Sequence, residues 1–456
     1  MSMVSDLAAI VGEDWVITAR EQTARYLADE TADAVRPRPA ENVVLIKPSS
    51  AEEVAEVLKL ANREKTPVFV RGGGTGICGG AVPIADGILL STERLDGILE
   101  VDKDNLMVVA GAGVPFGNML KAVEEAGLFF PPHPGDEGAH VGGLVACNAG
   151  GTRAVKYGVI RNFVRGLEVV TPTGDIINLG GKLLKNNQGF DLMHLLINSG
   201  GALGVITKVI FRLCPKFNSS GTLIISYDER HKAINTVPKI LQSGVVPLAI
   251  EYVERDVIEI SAKRLNMEWP AKKGNTFLIV ILTGDSEDEV YAQGEKVSTI
   301  CEGNNAVDIL IAERREEQAN ILKIRSEVYS SLKSNIADVL DITVPPASIG
   351  EMMDKVDEIA ARFNIKIPTY GHAADGNLHP HLLADLVEKG LLREVKRQIY
   401  AEAIKMGGVI TGEHGLGVIR LPDLDLYPDK KMWELMRGIK AVFDPNNILS
   451  PGIGVL

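Results

Sequence analysis

What most constrains the fold of this chain is a glycine loop that lacks its usual helix. Residues 70–80, VRGGGTGICGG, place Gly74, Gly76 and Gly79 at the spacing G-x-G-x-x-G. That fingerprint binds a dinucleotide when a strand leads in and a helix leads out, with the helix N-terminus facing the pyrophosphate. The lead-in is present, since residues 66–70 (TPVFV) read as a short buried strand. Before it lies an amphipathic helix with Ser50 and Glu53 as a capping box and Val54, Val57, Leu58 and Ala61 along one face. The lead-out is missing. Gly80, Ala81, Val82 and Pro83 pass through the Asp86-Gly87 turn straight into the strand-like ILLST, leaving no room for a crossover helix. A nicotinamide-binding βαβ unit is thereby excluded, and Glu93 is not its ribose carboxylate. Two readings of the loop remain: a cradle of exposed backbone N–H groups for phosphate oxygens, or a tight turn in a β-rich core.

A second glycine cluster, HVGGLVACNAGGTRAVKYG at 140–158, tips the balance toward a cradle. Its small residues let the backbone approach something flat or phosphorylated, and Asn148 can donate from a short side chain. Two such loops in one domain predict a bulky ligand between them. The chain is long enough to hold one: 456 residues imply two or three domains. Texture divides them. Residues 40–215 alternate β-branched strands with glycine turns, 220–400 alternate strands such as NTFLIVILTG with amphipathic helices, and the tail MRGIKAVFDPNNILSPGIGVL ends in turns that suit a segment pinned onto an earlier domain. The fold class is therefore α+β.

Charge and cysteine usage narrow the function. A net charge of −12 argues against a general nucleic-acid or anionic-membrane surface. The N-terminus has no basic n-region and no stretch reaches the length of a membrane span, so a cytoplasmic location is expected. Cys78, Cys147, Cys214 and Cys301 stand far apart without a C-x-x-C, which encodes neither a zinc knuckle nor an iron–sulfur cluster. Electrons moving through this chain would have to leave it for an external acceptor.

The strongest chemistry sits in YGHAADGNLHPHL, residues 370–382. Asp375-Gly376 predicts a two-residue hairpin turn that pairs Ala374 with Asn377 and His372 with His379. Opposed residues have Cβ atoms roughly 4.5–5.5 Å apart, close enough for two imidazoles to share a cation; the alternative is a chance surface pair. His381 falls opposite Tyr370 in that register and has no assigned role. Thirty residues on, Glu413 and His414 stand between Gly412 and Gly415, where they supply a third ligand and a general base, or merely form a loop. Arg325, in the helical stretch NILKIRSEVYSSLK, offers a fork for a carboxylate; an ordinary surface ion pair is its other reading.

Taken in order, VRGGGTGICGGAVP, PPHPG, GGLVACNAGG, AVKYG, LGVIT, GHAADGNLHPHL, GEHGLG and FDPNNILSPG resemble the FAD-linked D-2-hydroxyacid dehydrogenases. That family includes D-lactate dehydrogenases, glycolate oxidase catalytic subunits and D-2-hydroxyglutarate dehydrogenases, and the resemblance spans nearly the whole chain. It implies a two-part FAD-binding domain of the vanillyl-alcohol-oxidase type at 1–215, an α+β substrate (cap) domain at 216–405, and a C-terminal segment, 406–456, returning to the FAD domain. It also implies that Arg71, Gly72, Gly73, Gly74, Thr75 and Gly76 wrap the FAD pyrophosphate. Pro132, Gly142, Gly143, Asn148, Gly151, Ile206, Glu413 and Asn447 would line the rest of the cofactor. One divalent metal (Zn, Fe or Mn) would be held by His372, His379 and Glu413; His414 would be the base, Arg325 the carboxylate anchor, and Asn377 part of the catalytic set. No histidine stands in the first glycine loop, where covalently flavinylated relatives carry one, so noncovalent FAD is expected.

The family's G-S-E-G-T-L-G becomes Asn198, Ser199, Gly200, Gly201, Ala202, Leu203 and Gly204 here, which alters contacts near the flavin. An aromatic residue common ahead of the Arg325 position is replaced by Leu322-Lys323. The expected reaction is oxidation of a small D-2-hydroxy acid, D-lactate first and glycolate or D-2-hydroxyglutarate otherwise, with hydride passing to flavin N5. Electrons would go on to an electron-transfer flavoprotein or an iron–sulfur subunit, and the chain could form a homo-oligomer. The rival classes are a non-catalytic flavin electron-transfer module, which has no use for the histidine set, and a metal-dependent hydrolase, which has no use for the glycine domain.

Overall fold

The computed structural model describes residues 3–454. Its first sheet has four strands in the order Val16–Ile17, Val43–Ile46, Gly87–Ser91, Val68–Arg71. Val68–Arg71 and Gly87–Ser91 run parallel although only coil joins them, as the absence of a helix signal after Gly79 requires. The helix Ala51–Glu64 packs behind, burying Val54, Val57, Leu58 and Ala61 against Ile46, Val68, Ile88 and Leu90. Ser50 caps it by accepting from the Glu53 N–H, while the Glu53 carboxylate reaches one residue further back, to the Ser49 N–H at 2.7 Å. A five-stranded antiparallel sheet follows, in the order Ile98–Asp102, Met107–Gly111, Val205–Arg212, Val164–Val170, Ile176–Gly180.

The third large sheet is built on Thr276–Gly284, flanked by Ser219–Tyr227 and Ala249–Glu254. Its central run is apolar without alternation because both faces are covered. Leu278, Val280 and Leu282 join a core with the helices Arg230–Gln242, Glu287–Glu302 and Ile349–Phe363; Phe277 and Ile279 face Arg255–Arg264 and Arg315–Ser326 on the other side. No helix among the described residues is long and apolar enough to cross a membrane. The chain's end returns to the first sheet: the Val68 N–H donates to Ile448 O at 2.7 Å, and the Ser450 N–H donates to Val68 O at 2.7 Å.

The expected histidine hairpin forms, but in a different register. Thr369–His372 pairs with Asn377–Leu383 so that His372 opposes Asn377 and Tyr370 opposes His379. Four residues, 373–376, make the turn. The cause is external: the Ala373 N–H is held by Ile250 O at 3.0 Å and Gly376 O accepts from Val344 at 3.1 Å, so the turn is spread between two neighbouring strands. Gly376, at φ 90°, lies so close to Val344 that a Cβ would fall 2.0 Å from its carbonyl oxygen. His372 and His379 become diagonal neighbours on one face, with ring centroids 5.4 Å apart. His381 lies beside Tyr370, at 4.8 Å, rather than opposite it in the ladder.

Candidate functional site

A cavity of about 1630 Å³ opens where the three sheets meet, and both glycine clusters line it. They approach other backbone closely: a Cβ on Gly73 would lie 2.5 Å from Gly138 O, and one on Gly142 would lie 2.6 Å from the Ala112 Cβ. Gly76 and Gly143, by contrast, face open space within the same cavity. Bare backbone beside a volume larger than the roughly 300–1,000 Å³ of a drug-sized pocket fits an extended, phosphate-bearing cofactor with room left for a second molecule. Gly72, Gly73, Gly74, Thr75, Gly76, Gly142, Gly143, Asn148, Gly151, Ile206 and Glu413 all border it.

Three of the expected cofactor residues do not. Arg71 turns its guanidinium back to Ala28 O at 2.7 Å, lying where a side chain on Gly74 would be, so it props the loop from behind. Pro132 is buried outside the lining, and Asn447, at φ 50°, belongs to the C-terminal turn.

At one end of the cavity, Glu413 Oε1 is met by three imidazole Nε2 atoms: His379 at 3.3 Å, His372 at 3.5 Å and His414 at 3.6 Å. Two ligands held about 2.0–2.2 Å from a tetrahedral zinc stand roughly 3.3–3.6 Å apart, so each of the three imidazoles is spaced from Glu413 Oε1 as a co-ligand would be. His379 and His414 stack with centroids 5.0 Å apart. Among the described residues, the group whose ligand atoms all lie within 4.8 Å of one another is Asp341, His379, Glu413 and His414; His372, expected as a ligand, stands outside it. Asp341, however, is already committed. Its Oδ2 accepts from the backbone N–H groups of Glu413 (2.9 Å) and His414 (2.8 Å) and from the Thr411 hydroxyl (2.8 Å), and Oδ1 accepts from Asn377. It fixes the loop that carries Glu413 and His414.

Two buried acids escape sequence reasoning, Asp341 and Glu251, each in the middle of an apolar strand run. An acid inside such a run is itself a signal, because an unpaired buried carboxylate is costly. Glu251 joins two expected residues: its Oε1 lies 2.7 Å from His372 Nδ1 and its Oε2 lies 2.6 Å from Arg325 Nη2. A carboxylate on the remote nitrogen of a ligating histidine fixes that ring's orientation. Asn377 points away from the cavity, donating to Asp341, Ile342 O and Thr343. Its place in the catalytic set is therefore corrected to a brace for Asp341. Arg325 does face the cavity, its guanidinium 4.6 Å over the Tyr370 ring.

Protonation follows from these contacts. Burial alone would lower the His372 pKa, but the carboxylates of Glu251 and Glu413 outweigh it and raise it well above the ordinary value. Burial would raise the Glu413 pKa, and the neighbouring His372 and His379 hold it well below instead. For His414 burial wins, with Asp341 opposing, and the pKa falls to about 4. His414 is consequently a neutral imidazole at pH 7, free to accept a proton.

Residues 43–180 match the family model described as FAD binding domain, and residues 218–453 match that of FAD linked oxidases, C-terminal domain. The chain is 43% identical over 429 residues to a D-lactate dehydrogenase of Archaeoglobus fulgidus, covering 94% of each protein. It is 36% identical to the glycolate oxidase subunit GlcD of Bacillus subtilis, over 90% of this chain and 88% of the relative. With a D-lactate dehydrogenase of Anaerostipes hadrus it shares 35% identity, over 96% and 94%. Among solved structures, p-cresol methylhydroxylase with substrate bound superposes with a TM-score of 0.78 at 16% identity, over 99% of this chain and 96% of that one. The 4-ethylphenol oxidase of Gulosibacter chungangensis gives 0.79 at 17% identity, over 99% and 96%. At those identities the likeness is one of fold.

Proposed function

The chain belongs to the FAD-linked D-2-hydroxyacid dehydrogenases and has the vanillyl-alcohol-oxidase type of fold, and from that premise we propose that it oxidises D-lactate to pyruvate. Glycolate and D-2-hydroxyglutarate are the alternatives, since relatives named for them also match. The division into an FAD-binding part (1–215), a substrate part (216–405) and a returning segment (406–456) is proposed with it. The two glycine clusters would hold noncovalent FAD, which when bound would supply the two-electron acceptor for the C2 hydride. His372, His379 and Glu413 would hold a divalent cation, which would supply a Lewis acid for the substrate's oxygens.

The protein's own residues do the rest. Arg325, steadied by Glu251, holds the substrate carboxylate in its fork. His414 takes the hydroxyl proton on Nε2, the nitrogen that faces Glu413, while Asp341 fixes its backbone through the His414 N–H. Glu251 keeps His372 in the orientation that presents Nε2 to the site. Electrons leave to a partner such as an electron-transfer flavoprotein or an iron–sulfur subunit, because the four cysteines are all free and none of their spacings encodes a cluster.

The observation that carries this reading is His414 Nε2 set 3.6 Å from Glu413 Oε1, with the His372 and His379 imidazoles on the same oxygen, at the edge of a glycine-lined cavity. The test is an anaerobic titration of the purified holoenzyme with D- and L-lactate, following flavin absorption. Bleaching by the D enantiomer alone is the expected result; no bleaching by D-lactate, glycolate or D-2-hydroxyglutarate would overturn the reading.

A further inference from the structure

Tyr370 borders the cavity between two residues the site already uses. In the hairpin it directly opposes His379, so its ring lies on the face shared by His379 and His372, with centroids 5.4 Å from His379. On the other side the Arg325 guanidinium lies 4.6 Å over the same ring. A cation over the ring face leaves the hydroxyl, at the ring edge, free to bond elsewhere.

That hydroxyl is a donor with no use in the fold. Among the described residues it has no hydrogen-bond partner. The Tyr400 hydroxyl lacks one too, but is sealed inside a core, whereas that of Tyr370 keeps accessible surface although the residue is only 7% exposed. Neighbouring hydroxyls are spent: Tyr329 donates to Glu30 O at 3.0 Å, and Ser326 to Leu322 O at 2.9 Å. Arg325 repeats the pattern, since its Nη2 faces Glu251 at 2.6 Å while its Nη1 has neither a partner nor a cover. Buried donors are paired as a rule, so two unspent donors on one cavity wall point to an acceptor from outside. A carboxylate suits both. Each of its oxygens offers about two lone-pair positions, so an acid held by a guanidinium can still accept from a hydroxyl, and a phenol at neutral pH is protonated and able to donate.

We propose that Tyr370 is a substrate-contacting residue, its hydroxyl donating to the carboxylate that Arg325 holds. This rests on the D-2-hydroxy acid reading above. The two donors come from different elements, the helix Arg315–Ser326 and the hairpin strand of His372, so together they fix the carboxylate relative to both. Losing one hydrogen bond to a charged group weakens binding by about 10–100-fold.

The test is Tyr370→Phe in the holoenzyme, which keeps the ring under Arg325 and removes only the hydroxyl. With D-lactate and a dye acceptor, KM should rise by about 10–100-fold, more than kcat falls. Tm and metal content should stay at their wild-type values, because no group of the protein loses a partner. An unchanged KM overturns the contact while leaving D-lactate oxidation intact. A fall in Tm or in metal content assigns the hydroxyl to the fold and overturns it as well. Failure of every D-2-hydroxy acid to reduce the flavin of the wild type removes the reading and the contact together.

Discussion

Among single residues, His414 carries the sharpest consequence. His414 is the base of the proposed reaction, so His414→Asn should slow flavin reduction by about 10²–10⁴-fold in single-turnover kinetics while FAD content is unchanged. Retained reduction would place the base elsewhere. His133 gives a pH prediction at the same scale: burial, reinforced by the Arg153 charge, brings its pKa to about 4. A histidine depressed in the folded state stabilises fully above its unfolded value of about 6.5, and that stability drains away as pH falls toward the folded value. His133→Gln should therefore show a smaller drop in Tm between pH 6.5 and 4 than the wild type, and an equal drop would refute the assignment. The residues legible in sequence were those in glycine-flanked turns, His372, His379, Glu413 and His414, because a turn signal singles them out. Asp341 and Glu251 were not. Their partners lie far along the chain, 121 residues from Glu251 to His372, and only sheet order brings them together.

At the scale of elements, the hairpin shows what local rules miss. Asp375-Gly376 does mark the turn, yet its length is set by Ile250 and Val344 on neighbouring strands, so register shifted while the face shared by His372 and His379 survived. The same neighbours matter for the loop after Thr411. It has little structure of its own, and its two backbone N–H groups converge on Asp341 from the facing strand region. Asp341→Ala should thus leave FAD bound but lower metal affinity by about 10–100-fold, the usual cost of losing a residue that orients ligands. Metal content after dialysis against a weak chelator reads this directly; wild-type content would show that the loop holds itself.

For the whole molecule, the question is what joins the first glycine loop to the loop bearing His414, since composition, glycine texture and motif order announced the parts of the fold but not their junction. Cys78, in the first glycine loop, accepts from the Val418 N–H through its carbonyl at 2.9 Å and donates from its thiol to His414 O at 3.1 Å. Gly417, at φ 52°, lets the two backbones touch, because a Cβ there would lie 2.0 Å from Cys78 O. Beneath them Arg420, 1% exposed, reaches Cys78 Sγ with Nη1 and Val339 O with Nη2. Its charge answers the buried carboxylates of Asp338 and Asp341, the second of which holds the backbone of Glu413 and His414. Three distant stretches of sequence therefore meet on one guanidinium. Removing one partner of a buried ionic set leaves the others uncompensated, typically at about 3–5 kcal/mol. Arg420→Met should cost the protein about that much in denaturant unfolding, and adding Asp338→Asn should restore part of the loss, because one of the carboxylates that Arg420 answered is then neutral. A single variant within about 1 kcal/mol of wild type, or a double variant no more stable than the single, would show that the junction is held by backbone contacts alone.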